Sequence, residues 1–211
     1  SYSHQACSEA FPEAVPLPCS TFETAMDQVK EGNSEYAIIP VENSTYGRVA
    51  DAYYLLPNSG LFIIKEHFLR VHINLLALPG VSLSEIKTAM SHSVLLGQCR
   101  RFLNKHKIKS LSGIDTAGSA KIVSESNDRS KSALASPLAG EIYGLDSLGV
   151  EIEDMKNNTT RFLIMSNKKE NIDFVKNIKF MTTIVFQVKN IPAALYKAMG
   201  CLLYTSPSPR D

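Results

Sequence analysis

Glu42, Asn43, Ser44 and Thr45 place a carboxylate, an amide and two hydroxyls on consecutive residues, directly after the apolar run Ala37-Ile38-Ile39-Pro40-Val41. Side by side, such groups can hold an oxygen-rich small molecule, orient it and exchange a proton with it. A second polar group, Asn157-Asn158-Thr159-Thr160-Arg161, leads into Phe162-Leu163-Ile164-Met165. Arg161 is a fixed cation whose forked donors suit a carboxylate. Thr160 beside it offers a hydroxyl donor. An arginine at a strand edge paired with a surface acid fits the same residues.

The elements that must carry these groups follow from periodicity. The β-branched run 36–40 reads as a buried strand that Pro40 stops. Apolar residues at helical spacing resume from Arg48, so the first cluster falls between a strand end and a helix start. In open α/β sheets ligands bind at that crevice, because free N–H groups and a helix dipole converge there. A plain turn with Asn43 and Ser44 capping the helix satisfies the same pattern.

Six blocks in order resemble the prephenate dehydratases of phenylalanine biosynthesis, over nearly all of residues 1–165. They are Tyr2-Ser3-His4-Gln5-Ala6; Ile39-Pro40-Val41-Glu42-Asn43-Ser44 with Gly47-Arg48-Val49; Ser91-His92 with Gln98-Cys99; Asp115-Thr116-Ala117-Gly118-Ser119-Ala120; Ala135-Ser136 with Glu141-Ile142-Tyr143-Gly144-Leu145; and Asn158 with Thr160-Arg161-Phe162. Ser93-Val94 stands where the family usually has Pro-Gln, which puts the local geometry after His92 in question.

The resemblance implies an α/β, two-lobed catalytic domain like the periplasmic binding proteins, with ligand in the cleft, followed by the start of an α+β ACT domain. It implies loss of carbon dioxide and water from prephenate to form phenylpyruvate, a carbon–oxygen lyase reaction that asks for no cofactor or metal. In that reading Thr160 donates to the departing hydroxyl. Asn43 and Glu42 assist it catalytically, Glu42 as orienting acceptor or proton relay. Ser44, Ser91, Gln98, Thr116, Arg161 and Phe162 form the substrate-binding set, Phe162 by packing. Thr116 reads equally as a plain N-cap, and His92 as a structural loop histidine. Arogenate as substrate, or a non-catalytic binding protein for an aromatic carboxylate, are the alternatives.

Domain limits follow from changes in pattern. Residues 1–166 read as the catalytic domain with its start missing, in lobes of about 1–78 plus 160–166, and 79–159. Residues 167–180 read as a linker and 181–204 as a partial ACT domain, with a strand over 181–188. Residues 205–211 look like a non-native tail. Ala193 stands where the ACT family usually has glycine. A phenylalanine site is not expected to close on so short a piece, although phenylalanine is the effector expected of complete relatives, as homo-oligomers. Within the first domain, helices are expected over 3–10, 20–32, 93–106, 117–125 and 138–143, and strands over 61–64, 71–78 and 132–136, in mostly parallel sheets.

Bulk properties agree with a small-molecule protein. The 211 residues are 44% hydrophobic and 20% charged, with 22 basic against 21 acidic residues for a net +1. No basic run suggests nucleic acid, and no apolar run is long enough to span a membrane. Cys7, Cys19, Cys99 and Cys201 share no metal or disulfide spacing, so a reduced cytoplasm is the expected setting.

Overall fold

The computed structural model describes residues 1–169 and 186–205, which divide into two units, the first within Ser1–Ile172 and the second within Asp173–Asp211. In the first unit α1 (Tyr2–Ala10) is entered through Ser1, and α2 (Phe22–Lys30) through Thr21, whose hydroxyl accepts from Thr24 N. With Thr21 as its cap, α2 thus begins two residues inside the 20–32 expected. β1 (Ala37–Asn43) runs straight through Pro40 and forms a hairpin with β2 (Gly47–Arg48), Gly47 taking φ +82 in the turn. α3 (Ala50–Leu55) starts two residues later than expected and has no side-chain cap. β3 (Phe62–Arg70) is more than twice the length that 61–64 suggested.

The chain then leaves for a second sheet. β4 (Asn74–Ala77) is followed by β5 (Thr88–Ser91), α4 (Ser93–Gln98), α5 (Arg100–Lys105) and β6 (Lys109–Ser112). After these come α6 (Thr116–Glu125), β7 (Lys131–Ala135), α7 (Pro137–Tyr143) and β8 (Asp146–Gly149). β9 (Thr159–Ser166) returns to the first sheet. The single helix expected over 93–106 is broken at Cys99, where φ −120 and ψ 21 leave the helical region.

The sheets are not mostly parallel as expected. The first, in order β2-β1-β9-β3, is antiparallel throughout, because the returning β9 inserts between β1 and β3. The second, in order β6-β5-β7-β4-β8, is mixed: β5 runs parallel to β6 and β7, while β4 runs antiparallel to β7 and β8. The break expected near Leu78 therefore falls earlier, since Asn74–Ala77 already pairs in the second sheet. All four β4 residues are buried, as befits a central strand covered on both faces. The crossings are 71–73 outward and 150–158 on return.

Two apolar layers flank each sheet. Ala37, Ile39, Val41, Leu163 and Met165 pack against Met26, Val29 and Ala52 on one face of the first. Ala6, Leu69 and Phe162 close the other. In the second sheet Leu75, Ala77, Ala89 and Leu134 face Leu95, Leu96, Cys99 and Leu103, whereas Leu76, Ala133 and Ala135 face Ala120, Val123 and Ala139. Phe162 is 1% exposed. Phe162→Ala should lower unfolding free energy by about 3–5 kcal/mol, read by denaturant titration, because the aromatic volume has no replacement. Cys99 is wholly buried, and burial followed by the Asp154 and Glu153 carboxylates pushes its thiol pKa up. Alkylating reagents should leave Cys99 unmodified until the chain is unfolded.

In the second unit α8 spans Ala194–Thr205. Ala193, just before it, sits at φ +61, the left-handed region that glycine adopts freely, and so carries strain where the family's glycine would not. Residues 186–189 have no regular secondary structure. The rest of the expected strand, 181–185, lies outside the described residues, as do 170–180 of the linker and 206–211 of the tail. No helix among the described residues is long and apolar enough to cross a membrane.

Candidate active site

The first cluster owes its aim to a bulge. β1 pairs Pro40 with Phe162 but Glu42 with Arg161, so Val41 is the extra residue opposite β9. Pro40 has no N–H to give the ladder, and the register slips just beyond it. Ala37, Ile39 and Val41 all point into the layer with Met26 and Val29. Strict alternation would send Asn43 there too. The extra residue turns Asn43 to the opposite face, directly across from Thr160.

There Asn43 organises a hydrogen-bonded chain. Its Oδ1 accepts from the backbone N–H of Thr45 (3.0 Å) and Tyr46 (2.9 Å). Its Nδ2 donates to Thr160 Oγ1 (2.9 Å) and to Asn158 Oδ1 (2.7 Å). Asn158 Nδ2 in turn donates to Gln98 Oε1 (3.1 Å) at the end of α4. Thr160 is 9% exposed and Asn158 1%. The network joins both sheets through the returning crossing.

Ser44 serves the same junction as a clasp. Its hydroxyl donates to Asn157 O (2.6 Å) and accepts from Thr159 N (3.0 Å), while Ser44 N donates to Thr159 O (2.9 Å). Neither Asn43 nor Ser44 caps α3. Both reach more than a hundred residues along the chain.

The other expected residues lie elsewhere. Alternation places Arg161 and its cross-strand partner Glu42 on the face opposite Thr160. Arg161 Nε donates to Glu66 Oε2 of β3 (2.7 Å), a diagonal pair in which both side chains are 24% exposed. Glu42 is exposed and joins no hydrogen bond of the Asn43–Thr160 chain. Ser91, wholly buried, donates to Leu134 O (2.8 Å) and ties β5 to β7. Thr116 opens α6, which Asp115 caps through Gly118 N. Phe162 packs in the core beside Leu69. Arg161→Lys should cost about 1 kcal/mol of stability, since lysine keeps the charge but lacks Nε–H, and a partly exposed pair is screened. Denaturant titration of the two chains checks this.

A cavity of about 280 Å³ adjoins the network, large enough for one small molecule. Thr45 and Tyr46 of the hairpin form one wall, Gly97, Gln98 and Arg100 another, and the crossing from Glu153 to Met155, with Asn158, a third. Neither Thr160 nor Asn43 is among the lining residues, and Asn43 reaches the cavity through its bond to Asn158. Asp154 is held on both sides, its N–H donating to Gln98 O (2.7 Å) and its carboxylate accepting from Arg101 N. Asn158 is the residue whose role the sequence reasoning missed. Its spacing of two from Thr160, on a strand approach, was the available signal.

Two crossings between two α/β sheets, with polar groups gathered where the crossings meet and a cavity beside them, define a two-lobed protein. Residues 1–170 match the prephenate dehydratase domain, and the chain belongs to the prephenate dehydratase family. It is 41% identical over 201 residues to a bifunctional N-acyl-homoserine lactone acylase/prephenate dehydratase of Komagataeibacter europaeus, covering 95% of this chain and 71% of that one. It is 39% identical over 199 residues to arogenate dehydratase/prephenate dehydratase 1, chloroplastic, of Arabidopsis thaliana, covering 94% of this chain but 50% of the relative. The chain thus spans about half the length of such plant relatives. The prephenate dehydratase of Arthrobacter aurescens, solved in complex with L-Phe, superposes with a TM-score of 0.82 at 25% identity, over 96% of this chain and 69% of that one.

Proposed function

We propose that this chain dehydrates and decarboxylates prephenate to phenylpyruvate, acting in the cytoplasm as a carbon–oxygen lyase of L-phenylalanine biosynthesis. The bond from the ring to its carboxylate breaks and releases carbon dioxide. Its electron pair enters the ring, which becomes aromatic as the opposite C–O bond breaks. The departing hydroxide takes one proton and leaves as water. One observation carries this reading. Asn43 occupies a lone pair of Thr160 Oγ1, so the hydroxyl proton of Thr160 has no acceptor in the network. It is left for the departing oxygen, as a preorganised hydrogen bond that strengthens while charge develops there. A threonine hydroxyl is too weak an acid to give up its proton unaided, so solvent resupplies the proton finally consumed. Arg161 acts from the far face of β9, holding the strand through Glu66.

The purified chain should form phenylpyruvate from prephenate. Arogenate, which carries an amino group in place of the keto oxygen, is assayed beside it. Faster turnover of arogenate would reassign the substrate. A folded chain that turns over neither would overturn the reading.

A further inference from the structure

We infer that Asn158 is a positioning residue that passes the polarity Asn43 takes from the backbone on to Gln98, presenting the Gln98 amide to the ligand as a donor. The direction of each amide follows from the backbone. Two N–H groups, those of Thr45 and Tyr46, can only donate, so the Asn43 atom between them is its oxygen. The Asn43 amide nitrogen must then face Thr160 and Asn158 and donate to both. Asn158 must receive with its oxygen, which turns its own nitrogen toward Gln98. Gln98 must receive with Oε1, and its Nε2 protons find no acceptor among the described residues. Among the described residues, one end of the relay carries a hydroxyl proton without an acceptor and the other an amide without one.

A substrate with two carboxylates and a ring hydroxyl offers acceptors to both ends. The backbone of Asn158 adds a mechanical tie: its carbonyl accepts from Val71 N (2.8 Å) on the outward crossing. Asn158 is therefore fixed to both crossings while its side chain spans the sheets. Movement of α4 relative to β9 would strain the relay and disturb both donors together.

Asn158→Asp tests this, because it preserves shape while removing the donor. Aspartate still accepts from Asn43, but it also demands a donor from Gln98. The Gln98 amide should turn over and present Oε1 to the ligand. Side-chain amide exchange by NMR on the free, full chain reads this directly. In the parent, the Asn43 and Asn158 amides should be protected and the Gln98 Nε2 protons should exchange fast. In Asn158→Asp, the Gln98 protons should become protected. Protected Gln98 protons in the parent, or no change in the variant, would overturn the inference.

The kinetic arm rests on the proposed prephenate turnover. Asn158→Asp should raise KM about tenfold or more, the loss of one hydrogen bond to a charged group, with a smaller change in kcat. In a Gln98→Ala background the same substitution should raise KM little further. A full, additive effect in that background would mean that the new charge acts by itself, and would sink the relay. The exchange measurement needs no substrate. Absence of turnover with the expected exchange pattern overturns the proposed reaction and leaves the relay standing.

Discussion

Thr160→Val is expected to lower kcat by about 10²–10⁴-fold with little change in KM, the range typical of a positioned proton donor. Valine keeps the branched shape that suits β9 and removes only the hydroxyl. The interaction lost is made in the transition state, when the ring oxygen becomes hydroxide-like, so ground-state binding is spared. One Asn43 N–H loses its acceptor as well, which costs about 1–3 kcal/mol of stability if it stays buried. Thr160→Ser separates the two effects, because it retains the hydroxyl and should retain most of the activity. Single-turnover measurement on folded Thr160→Val decides the matter. A near-normal rate would remove Thr160 from the chemistry.

Asn43→Asp should be nearly as damaging although it changes one atom. The carboxylate still accepts from Thr45 N and Tyr46 N, so the hairpin survives. Its second oxygen now faces Thr160, and a charged acceptor outcompetes a neutral one for the hydroxyl proton. The donor turns inward, and kcat should fall at least about 10²-fold. Asn158 can satisfy the new carboxylate only by reversing its amide, which reverses Gln98 too, so KM should rise together with the loss in kcat. Protonation of the introduced carboxylate would restore a donor at that position. The variant should therefore regain activity as pH falls, in contrast to the parent. A flat pH profile at the parent rate would show that the polarity of Asn43 is irrelevant.

The two polar clusters are legible in the sequence because their residue types have no business beside apolar strands unless something uses them. Their meeting is legible only through resemblance, since nothing local in Asn43 announces a partner at Thr160. Parity is what local pattern does not carry. Pro40 looks like a strand terminus, but a proline only withholds one N–H, and β1 continues past it with a bulge. Without the bulge, Glu42 and Asn43 cannot be assigned to faces, and adjacency along the chain draws together a carboxylate and an amide that the sheet divides. Arg161 poses the same difficulty, being next to Thr160 along the chain and opposite to it across the sheet. The antiparallel pairing also lies beyond local pattern. Alternating strands and helices predict parallel neighbours, but β9 arrives from the far end of the domain and takes its place by crossing rather than by periodicity.

Val41 shows what kind of genetic change this site can survive. Any side chain that fits the apolar layer leaves the residue count of β1 unchanged, and with it the aim of Asn43. Deleting that one position would merely close the bulge, with Glu42 still opposite Arg161 and Asn43 still opposite Thr160. What the site does not survive is straightening with every residue kept, because strict alternation then carries Asn43 into the layer beneath α2 and α3. Lineages of this domain should therefore show substitution or loss at the bulge freely, and an engineer who straightens β1 without removing a residue would keep a folded sheet with its chemistry facing inward.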